Sequence, residues 1–327
     1  MTTRAAILKL LSDGTFHSGT ELGQALGITR AAVCKNIGQL TQAGIDVHRV
    51  NGRGYKLEAP LQLLDASRIL KHLGPAAVDF RKRLHIVDRV DSTNRFLSEH
   101  IEHSKSVNGE VCLAEAQLAG RGRRGRQWVA TPYSNLMLSM AWRFHNGPGM
   151  ISGLSLAAGL AVLRALEEYG VKDAGLKWPN DLLWQGRKLA GLLVDVQGEA
   201  TGPTTVIVGV GINSSLSEVD AAQIDQPWVD VRTILGAPAD RNRLAALVLR
   251  QWRQQFQIFA DKGFAPFRLE WQRRHVHQGQ RVRLLQGESE ITGTAEGVDE
   301  NGALLLRGTD GKQRAFHSGE ISLRPAK

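Results

Sequence analysis

Gln117-Leu-Ala-Gly-Arg-Gly-Arg-Arg-Gly-Arg-Gln-Trp128 is the stretch around which the rest of the chain is arranged. Four arginines alternate with three glycines, a poor recipe for either a helix or a strand. Glycine lets the backbone approach a ligand closely and take φ > 0. Each arginine carries a permanent charge on a planar fork that matches phosphate or carboxylate. The stretch reads as a mobile loop that closes over an anion; a solvated basic loop or a nucleic-acid tether would have the same composition. Its neighbours decide between these. Residues 111–116 read as a strand that delivers the chain into the loop, and residues 135–142 as the strand that carries it away.

Upstream, residues 84–90 form an apolar-rich strand that runs into Asp91-Ser-Thr-Asn94, after which Phe96, Leu97 and Ile101 recur at helical spacing. A Ser/Thr/Asn cluster at a helix start offers N–H groups and hydroxyls to a small polar or anionic group, though taken alone it is more often an ordinary cap. Downstream, residues 151–169 read as a long helix closed by Gly170. Leu176-Lys-Trp-Pro-Asn-Asp-Leu-Leu-Trp184, a turn at Gln185-Gly-Arg187, and Lys188-Leu-Ala-Gly-Leu-Leu-Val-Asp-Val196 read as a hairpin. Its first strand is interrupted by Pro179, which turns Asn180 and Asp181 aside from the ladder. Lys188 opens the second strand either as a snorkelling strand end or as a charged probe aimed into a pocket. Residues 204–213 alternate apolar residues with glycine, a strand that a ligand or another backbone can approach closely. Helices near 242–259 and 265–274 complete this layer.

Residues 1–60 have a different grammar. Ile7, Leu8, Leu10 and Leu11 give a helix stopped by Asp13-Gly14, and Ser18-Gly-Thr-Glu21 is a capping box before a second helix. Gly27-Ile28 makes a tight turn, and Thr29 caps a third helix that carries Val33, Ile37 and Leu40 and ends near Ala43-Gly44. This is helix-turn-helix spacing, with Thr29, Arg30, Lys35, Asn36 and Gln39 as the residues turned toward phosphates and base edges. Residues 47–50, Asn51-Gly52 and residues 55–57 read as a hairpin with a type I′ turn, a wing carrying Arg49, Arg53 and Lys56. Seven Lys/Arg stand against four Asp/Glu over residues 1–60, which favours DNA, bound as a dimer on a two-fold site. A winged helix used only for docking protein is the alternative. Glu58-Ala-Pro60 makes the linker to the body. At the other end, short alternating strands at 280–285, 290–294, 303–306 and 321–323, punctuated by Gly287, Gly297, Gly302, Gly308 and Gly311, indicate a small β domain. The expected fold is α+β and multidomain: a winged helix-turn-helix over 1–60, a mixed α/β body over 61–272 and a β domain over 273–327.

The 42% hydrophobic and 22% charged content over 327 residues is that of an ordinary globular protein, and the net charge of +9 favours anionic partners. No apolar run approaches the roughly 20 residues that span a bilayer, and Met1-Thr-Thr-Arg leads straight into a helix, so the expected compartment is the cytoplasm. Cys34 and Cys112 fit reduced, buried thiols.

Taken together, Asp91-Ser-Thr-Asn94, Gly120-Arg-Gly-Arg-Arg-Gly-Arg-Gln-Trp128, Lys177-Trp-Pro-Asn-Asp181, Arg187-Lys-Leu-Ala-Gly191 and Gly209-Val-Gly-Ile-Asn213 resemble the biotin–protein ligases. Gly302-Ala-Leu-Leu-Leu306 and Gly319-Glu-Ile-Ser-Leu323 resemble that family's C-terminal domain, and the winged helix matches its bacterial bifunctional, biotin-operon-repressing branch. The resemblance implies a class II synthetase-like ligase domain and an SH3-like C-terminal barrel. It implies that biotin and ATP, with Mg²⁺, give biotinyl-5′-AMP and pyrophosphate, and that a lysine of the biotin carboxyl carrier protein of acetyl-CoA carboxylase then takes the biotin. No permanently bound cofactor is implied. The adenylate-bound protein would be a homodimer that represses biotin-synthesis genes at operator DNA.

By the same resemblance Lys188, Arg121, Arg123 and Asp181 carry the chemistry, with Lys188 touching both the biotin carboxylate and the phosphate. Ser92, Thr93, Asn94, Gln117 and Gly122 join Arg121, Arg123 and Lys188 around biotin, whose ureido group needs both donors and an acceptor. Gly120, Arg124, Trp128, Lys177, Asn180, Asn213 and Trp228 belong to the adenylate site and its lid. Asp181 holds metal or adenylate, and Trp128 walls the biotin ring; a turn aspartate and a packed tryptophan are the plainer readings. Two other functions stay open: a ligand-sensing transcription factor that has lost ligase activity, and a lipoate or octanoate ligase on a related fold. The complete arginine loop and Lys188 speak against the first, and the arginine-glycine loop speaks against the second.

Overall fold

The structure is a computed structural model that describes residues 2–42, 44–58, 61–102, 106–145, 151–198, 202–286, 289–317 and 321–325. Ala43 at the expected helix end, Ala59-Pro60 of the linker, Gly287 and Gly319-Glu320 lie outside the described residues.

Three helices, α1 (Thr3–Leu11), α2 (Gly19–Leu26) and α3 (Arg30–Gln42), pack over Ile7, Leu8, Leu11, Leu22, Val33, Ile37 and Leu40. The capping box is present in full: Ser18 accepts from Glu21 N, and Glu21 accepts from Ser18 N. Thr29 Oγ1 accepts from Ala32 N at 3.1 Å, as expected of a cap. β1 (Val47–Val50) and β2 (Gly54–Leu57) make the wing. Its turn is not type I′. Three residues separate the paired Val50 and Gly54, and Gly52 has φ of 77° whereas Asn51 is not among the positive-φ residues. A type I′ turn needs φ > 0 at both central positions. That conformation occurs instead at Gln185-Gly186, with φ of 48° and 75° between the paired Trp184 and Arg187.

The body opens with α4 (Ala66–Leu73), which the sequence reading missed. Then come β3 (Leu84–Val90), α5 (Thr93–Ile101), β4 (Glu110–Gln117), β5 (Leu136–Phe144), α6 (Leu154–Tyr169), β6 (Ala174–Lys177), β7 (Asp181–Trp184), β8 (Arg187–Gln197) and β9 (Thr204–Ile212). The short α7 (Glu218–Ala221) and α8 (Val231–Leu235) lead to α9 (Arg241–Lys262) and α10 (Arg268–Arg274). Seven strands form one mixed sheet in the order β3-β4-β5-β9-β8-β7-β6, antiparallel except for β3–β4. Residues 176–184 are therefore not one strand broken by a proline. β6 and β7 are separate strands, the chain reverses through Trp178-Pro179-Asn180 with a cis Trp178–Pro179 bond, and Lys177 pairs with Asp181 across the turn. A proline cannot donate to the ladder, so the reversal is placed where it costs no strand hydrogen bond.

Alternation assigns the two faces of the sheet. Val206, Val208, Val210 and Ile212 of β9 bury against α6 and α9, whereas Ile207 points the other way, into a small cluster with Leu97 of α5. Gly209 and Gly211 share the Ile207 face. Beyond α10, β10 (Arg281–Gln286), β11 (Ser289–Val298), β12 (Leu304–Arg307), β13 (Gln313–Phe316) and β14 (Ile321–Pro325) form an antiparallel sheet in the order β13-β12-β11-β10-β14. β13 was not expected: three of its four residues are exposed and its sequence, Gln-Arg-Ala-Phe, has no apolar alternation. This sheet shares the main core through Val282, Leu284, Ala295 and Leu304, and Trp178 Nε1 donates to Gly302 O at 3.1 Å. Both cysteines are free; Cys112 is buried but Cys34 only half-buried. Among the described residues no helix is long and apolar enough to cross a membrane.

Candidate active site

A cavity of about 350 Å³ opens on the α5 face of the sheet. One irregularity in the sheet decides its chemistry. Asp181, Leu182 and Leu183 of β7 face Gly191, Ala190 and Lys188 of β8, so Leu189 is an extra residue in the ladder. In regular register Leu189 would stand opposite Leu183 and Lys188 would point to the helical face. The bulge turns Lys188 onto the face of Asp181, Gly191 and Gly211 instead. Its Nζ then lies 2.8 Å from Asp181 Oδ1 and 5.5 Å from the centre of the Trp128 ring. Asn213 holds this segment: its amide donates to Lys188 O and Val229 O, both at 3.2 Å, and its N–H to Leu189 O. Trp228 runs alongside Lys188, with Lys188 N donating to Pro227 O at 2.8 Å.

Cations crowd this wall. Lys177 is 9% exposed, and burial pushes its ammonium down to about 8; Asp181 opposes the shift, while Arg324, Lys188 and Arg126 add to it. Burial also lowers Arg123, again against the pull of Asp181, and its guanidinium donates to Asn180 Oδ1 at 3.3 Å. A pocket that holds these positive charges beside one dominant carboxylate is built to receive negative charge.

The arginine loop is a compact hairpin. Trp128 N donates to Gly120 O, Gly122 N to Arg126 O, and Arg121 bridges Gln127. Of its glycines only Gly125 has φ > 0; Arg124 takes the other left-handed position, at φ 60°, and Gly122 is extended. Arg121, Gly122, Arg123, Arg124 and Trp128 line the cavity, but Gly120 does not. A Cβ on Gly120 would meet Trp128 O at 2.7 Å, so this glycine closes the loop's base and does not lie against a ligand. Arg121 ion-pairs with Asp195 at 2.6 Å, a partner that no motif announces.

Ser92, Thr93, Asn94 and Gln117 line the same cavity. Ser92 is the N-cap residue of α5 yet makes no side-chain capping bond, so it is not an ordinary cap. Gln117 Oε1 accepts from Thr93 N at 2.8 Å and from Thr93 Oγ1 at 3.1 Å. Asn94, 3% exposed, accepts from Ser139 Oγ at 2.6 Å and donates to Asp195 Oδ2 at 3.1 Å. Its amide is engaged by protein on both sides. The β9 glycines make room for side chains, not for another backbone: a Cβ on Gly209 would lie 2.2 Å from Asn94 Oδ1, and one on Gly211 2.2 Å from Trp128 Cε2.

Every residue expected around biotin or the adenylate lines this one cavity except Gly120. Sequence reasoning gave no role to Arg126 or Arg324, which also line it, whereas Gln223 and Asp225 lie in the 214–228 loop that the family resemblance assigns to the adenylate. Arg324 comes from β14, and only the tertiary docking of the C-terminal sheet brings it here. On the winged helix, Thr29, Arg30, Lys35 and Arg53 are exposed, while Asn36 and Gln39 are half-buried. Asn36 donates to Ala32 O at 2.8 Å, and Arg53 lies 4.5 Å over the Phe16 ring.

A helix-turn-helix, a mixed sheet bearing an arginine-glycine hairpin over a lysine-carrying bulge, and a small β domain that lends an arginine together define a protein ligase that activates carboxylates. Family models match accordingly: the HTH domain over residues 3–56, the Biotin/lipoate A/B protein ligase family over 86–213 and the Biotin protein ligase C terminal domain over 277–324. The chain is 40% identical to the Bifunctional ligase/repressor BirA of Escherichia coli, over 98% of this chain and 97% of that protein. It is 36% identical to the Biotin–[acetyl-CoA-carboxylase] ligase of Paracoccus denitrificans, over 69% of this chain and 94% of that one. The solved biotin protein ligase from Aquifex aeolicus in complex with biotin and ATP superposes with a TM-score of 0.63 at 31% identity, covering 75% of this chain and 100% of that one. The chain belongs to the bifunctional biotin–protein ligase/repressor family.

Proposed function

We propose that the protein joins biotin to ATP in the 350 Å³ cavity, releases pyrophosphate, and passes biotin from biotinyl-5′-AMP to a lysine of a biotin carboxyl carrier protein. The observation that carries this reading is the bulge that sets Lys188 beside Asp181 and over Trp128, on the cavity wall shared with the arginine hairpin. Attack of a carboxylate on an α-phosphate crowds negative charge that fixed cations must stabilise. Lys188 bridges the carboxylate and the phosphate, and Arg121 and Arg123 lie over the carboxylate and the adenylate. For Arg121 this means exchanging Asp195 for the ligand. Thr93, Ser92 and Gln117 serve the ureido ring, Asn94 fixes that wall from behind, and Trp128 covers the ring. Lys177, Asn180, Arg124, Asn213 and Trp228 frame the nucleotide, with Arg324 reaching in from the C-terminal sheet. Asp181 is the carboxylate that would hold Mg²⁺ brought in on the triphosphate, in keeping with that ion's use of one or two carboxylates plus phosphate oxygens. Mg²⁺ would supply further charge neutralisation. Closure of the arginine hairpin and of the loop that brings Gln223, Asp225 and Trp228 to the cavity would keep water from the anhydride.

Within this reading the chain divides into reader, ligase and C-terminal domains at 1–60, 61–272 and 273–327, acts in the cytoplasm, and dimerises when the adenylate is bound. The dimer presents two copies of α3 and the wing to operator DNA, with Thr29, Arg30, Lys35 and Arg53 outermost. The adenylate favours that dimer by binding it better than it binds the monomer.

One assay tests the chemistry. Labelled biotin, ATP and Mg²⁺ are incubated with the protein and a carrier domain, with lipoate as the competing acid. Label on the carrier is expected with biotin and not with lipoate. Lys188→Ala should cut adenylate formation by about 10²–10³, the loss typical of one charge-stabilising group. A Lys188→Ala protein that labels at the parent rate would remove the central assignment.

A further inference from the structure

One cluster of chemistry-bearing side chains lies outside the cavity. In the parallel β3–β4 pair, His85 stands opposite Cys112, so His85 and Val87 on one strand and Glu110 and Cys112 on the other face α5. Val87, Cys112, Phe96, Leu97 and Ile101 make a small apolar cluster between helix and sheet. At its edge Glu110 Oε2 lies 2.9 Å from His85 Nε2 and 3.7 Å from His100 Nε2, and the three ligand atoms all fall within 4.8 Å of one another. The two imidazole rings are 4.4 Å apart, and Phe96 stacks on His100. Among the described residues this is the one trio of His, Cys, Asp and Glu side chains so disposed. None of the three lines the ligand cavity.

We propose that His85, His100 and Glu110 bind a divalent transition-metal ion of the Zn²⁺ class, at a site separate from the one where nucleotide would bring Mg²⁺. Two imidazoles and a carboxylate are donors of intermediate softness, suited to Zn²⁺, Co²⁺ or Ni²⁺ and ill-suited to Mg²⁺, which takes oxygen ligands. With metal–nitrogen bonds near 2.0–2.1 Å, tetrahedral ligand atoms stand about 3.3 Å apart. The observed 2.9 and 3.7 Å bracket that spacing. The site is graded in burial, with the Glu110 side chain 8% exposed, His85 27% and His100 39%. The carboxylate is therefore fixed inside, the histidines form the mouth, and a water can complete the shell from solvent. An ion here clips the last turn of α5 to two strands. The first residues of the same helix, Thr93 and Asn94, line the ligand cavity. The inference does not depend on the ligase reading, because none of the three residues lines the cavity in which that reaction is placed.

The test uses untagged full-length protein stripped with chelator and titrated with Co²⁺, then Zn²⁺, in excess Mg²⁺. The parent should take up one Co²⁺ with the visible ligand-field absorption of a nitrogen-bound ion, surrender it to Zn²⁺, and melt at a higher temperature with Zn²⁺ present. His100→Ala, at an accessible helix end and checked for fold by circular dichroism, should lose the absorption and the melting shift, with affinity down by more than about 100-fold. Loss of a mere outer-shell partner already costs 10–100-fold. His85→Ala should behave alike, and Asp181→Asn should bind Co²⁺ as the parent does. A parent without Co²⁺ absorption and without a Zn²⁺-dependent shift would overturn the proposal. So would equal binding by the parent and both histidine variants.

Discussion

Lys177 shows how a single buried charge reports on its ligand. Its ammonium titrates near 8 because burial costs the charged form more than Asp181 returns. A lowered lysine pKa means that the folded protein binds fewer protons than the unfolded chain between about pH 8 and 10.5. The burial penalty is fully present below pH 8 and is relieved as pH rises through that window. A triphosphate beside Lys177 should raise its pKa again. ATP binding at pH 8.5 should therefore take up most of one proton, read as a dependence of the calorimetric enthalpy on the buffer's ionisation heat. Lys177→Met should remove that dependence. An enthalpy that is the same in all buffers for the parent would place the nucleotide away from this lysine. At this scale the sequence was generous where chemistry and motif coincide: Lys188, Asp181, Arg123 and Lys177 converge as expected. It was silent on Asp195 and Arg324, because their relevance comes from partners 74 residues away and from another sheet.

Elements carry the next layer of constraint. The alternation of β9 puts valines against α6 and glycines against the cavity, so the glycines define how closely Trp128 can sit. Gly211→Ala would put a methyl 2.2 Å from the indole, which must move. The expected result is a rise in the KM for biotin well beyond any fall in melting temperature; an unchanged KM would show that Trp128 does not wall the ring. On β4, Glu115 pairs with Arg241 of α9 at 2.7 Å, with both side chains nearly inaccessible, and also accepts from Leu64 N. Removing the acid strands a buried guanidinium, so Glu115→Ala should cost about 3–5 kcal/mol in urea unfolding. A loss below 1 kcal/mol would mean that water reaches the pair. Strand positions were readable from apolar runs, as residues 84–90 show. The β7–β8 bulge was not, since an extra residue leaves no mark in a run of Lys-Leu-Ala-Gly, and it appears only once two strands are paired. The turn between β6 and β7 was misread for the same reason: Pro179 signalled a break, but only pairing showed a reversal.

At the level of the whole molecule the question is how a ligand in the cavity could speak to the DNA reader, and the chain offers a short path. Five positions after Trp128, Tyr133 is 4% exposed and packs in the core of the winged helix, not in that of the body. Its hydroxyl donates to Asp88 Oδ1 at 2.6 Å, and Asp88 Oδ2 accepts from Thr2 Oγ1 at 2.5 Å. Thr2 in turn caps α1. Burial, then the Asp88 contact, raises the Tyr133 pKa, so the phenol remains a proton donor throughout the physiological range. One hairpin is thus held by its tryptophan against the ligand wall and, a few residues on, by its tyrosine in the reader. No motif announced this, because a tyrosine in a loop looks like any other until two cores are seen to share it. Tyr133→Phe keeps the ring and deletes the link to Asp88. Adenylate synthesis should stay within about twofold of the parent, since Tyr133 does not line the cavity. The gain in affinity that biotinyl-AMP confers on a DNA duplex selected with the parent protein should shrink. Couplings of this kind are worth roughly 1–3 kcal/mol, or 5–150-fold, so a loss of several-fold is within reach of a gel-shift titration done with and without ligand. An unaltered ratio in Tyr133→Phe would mean that this hydrogen-bonded seam does not carry the signal.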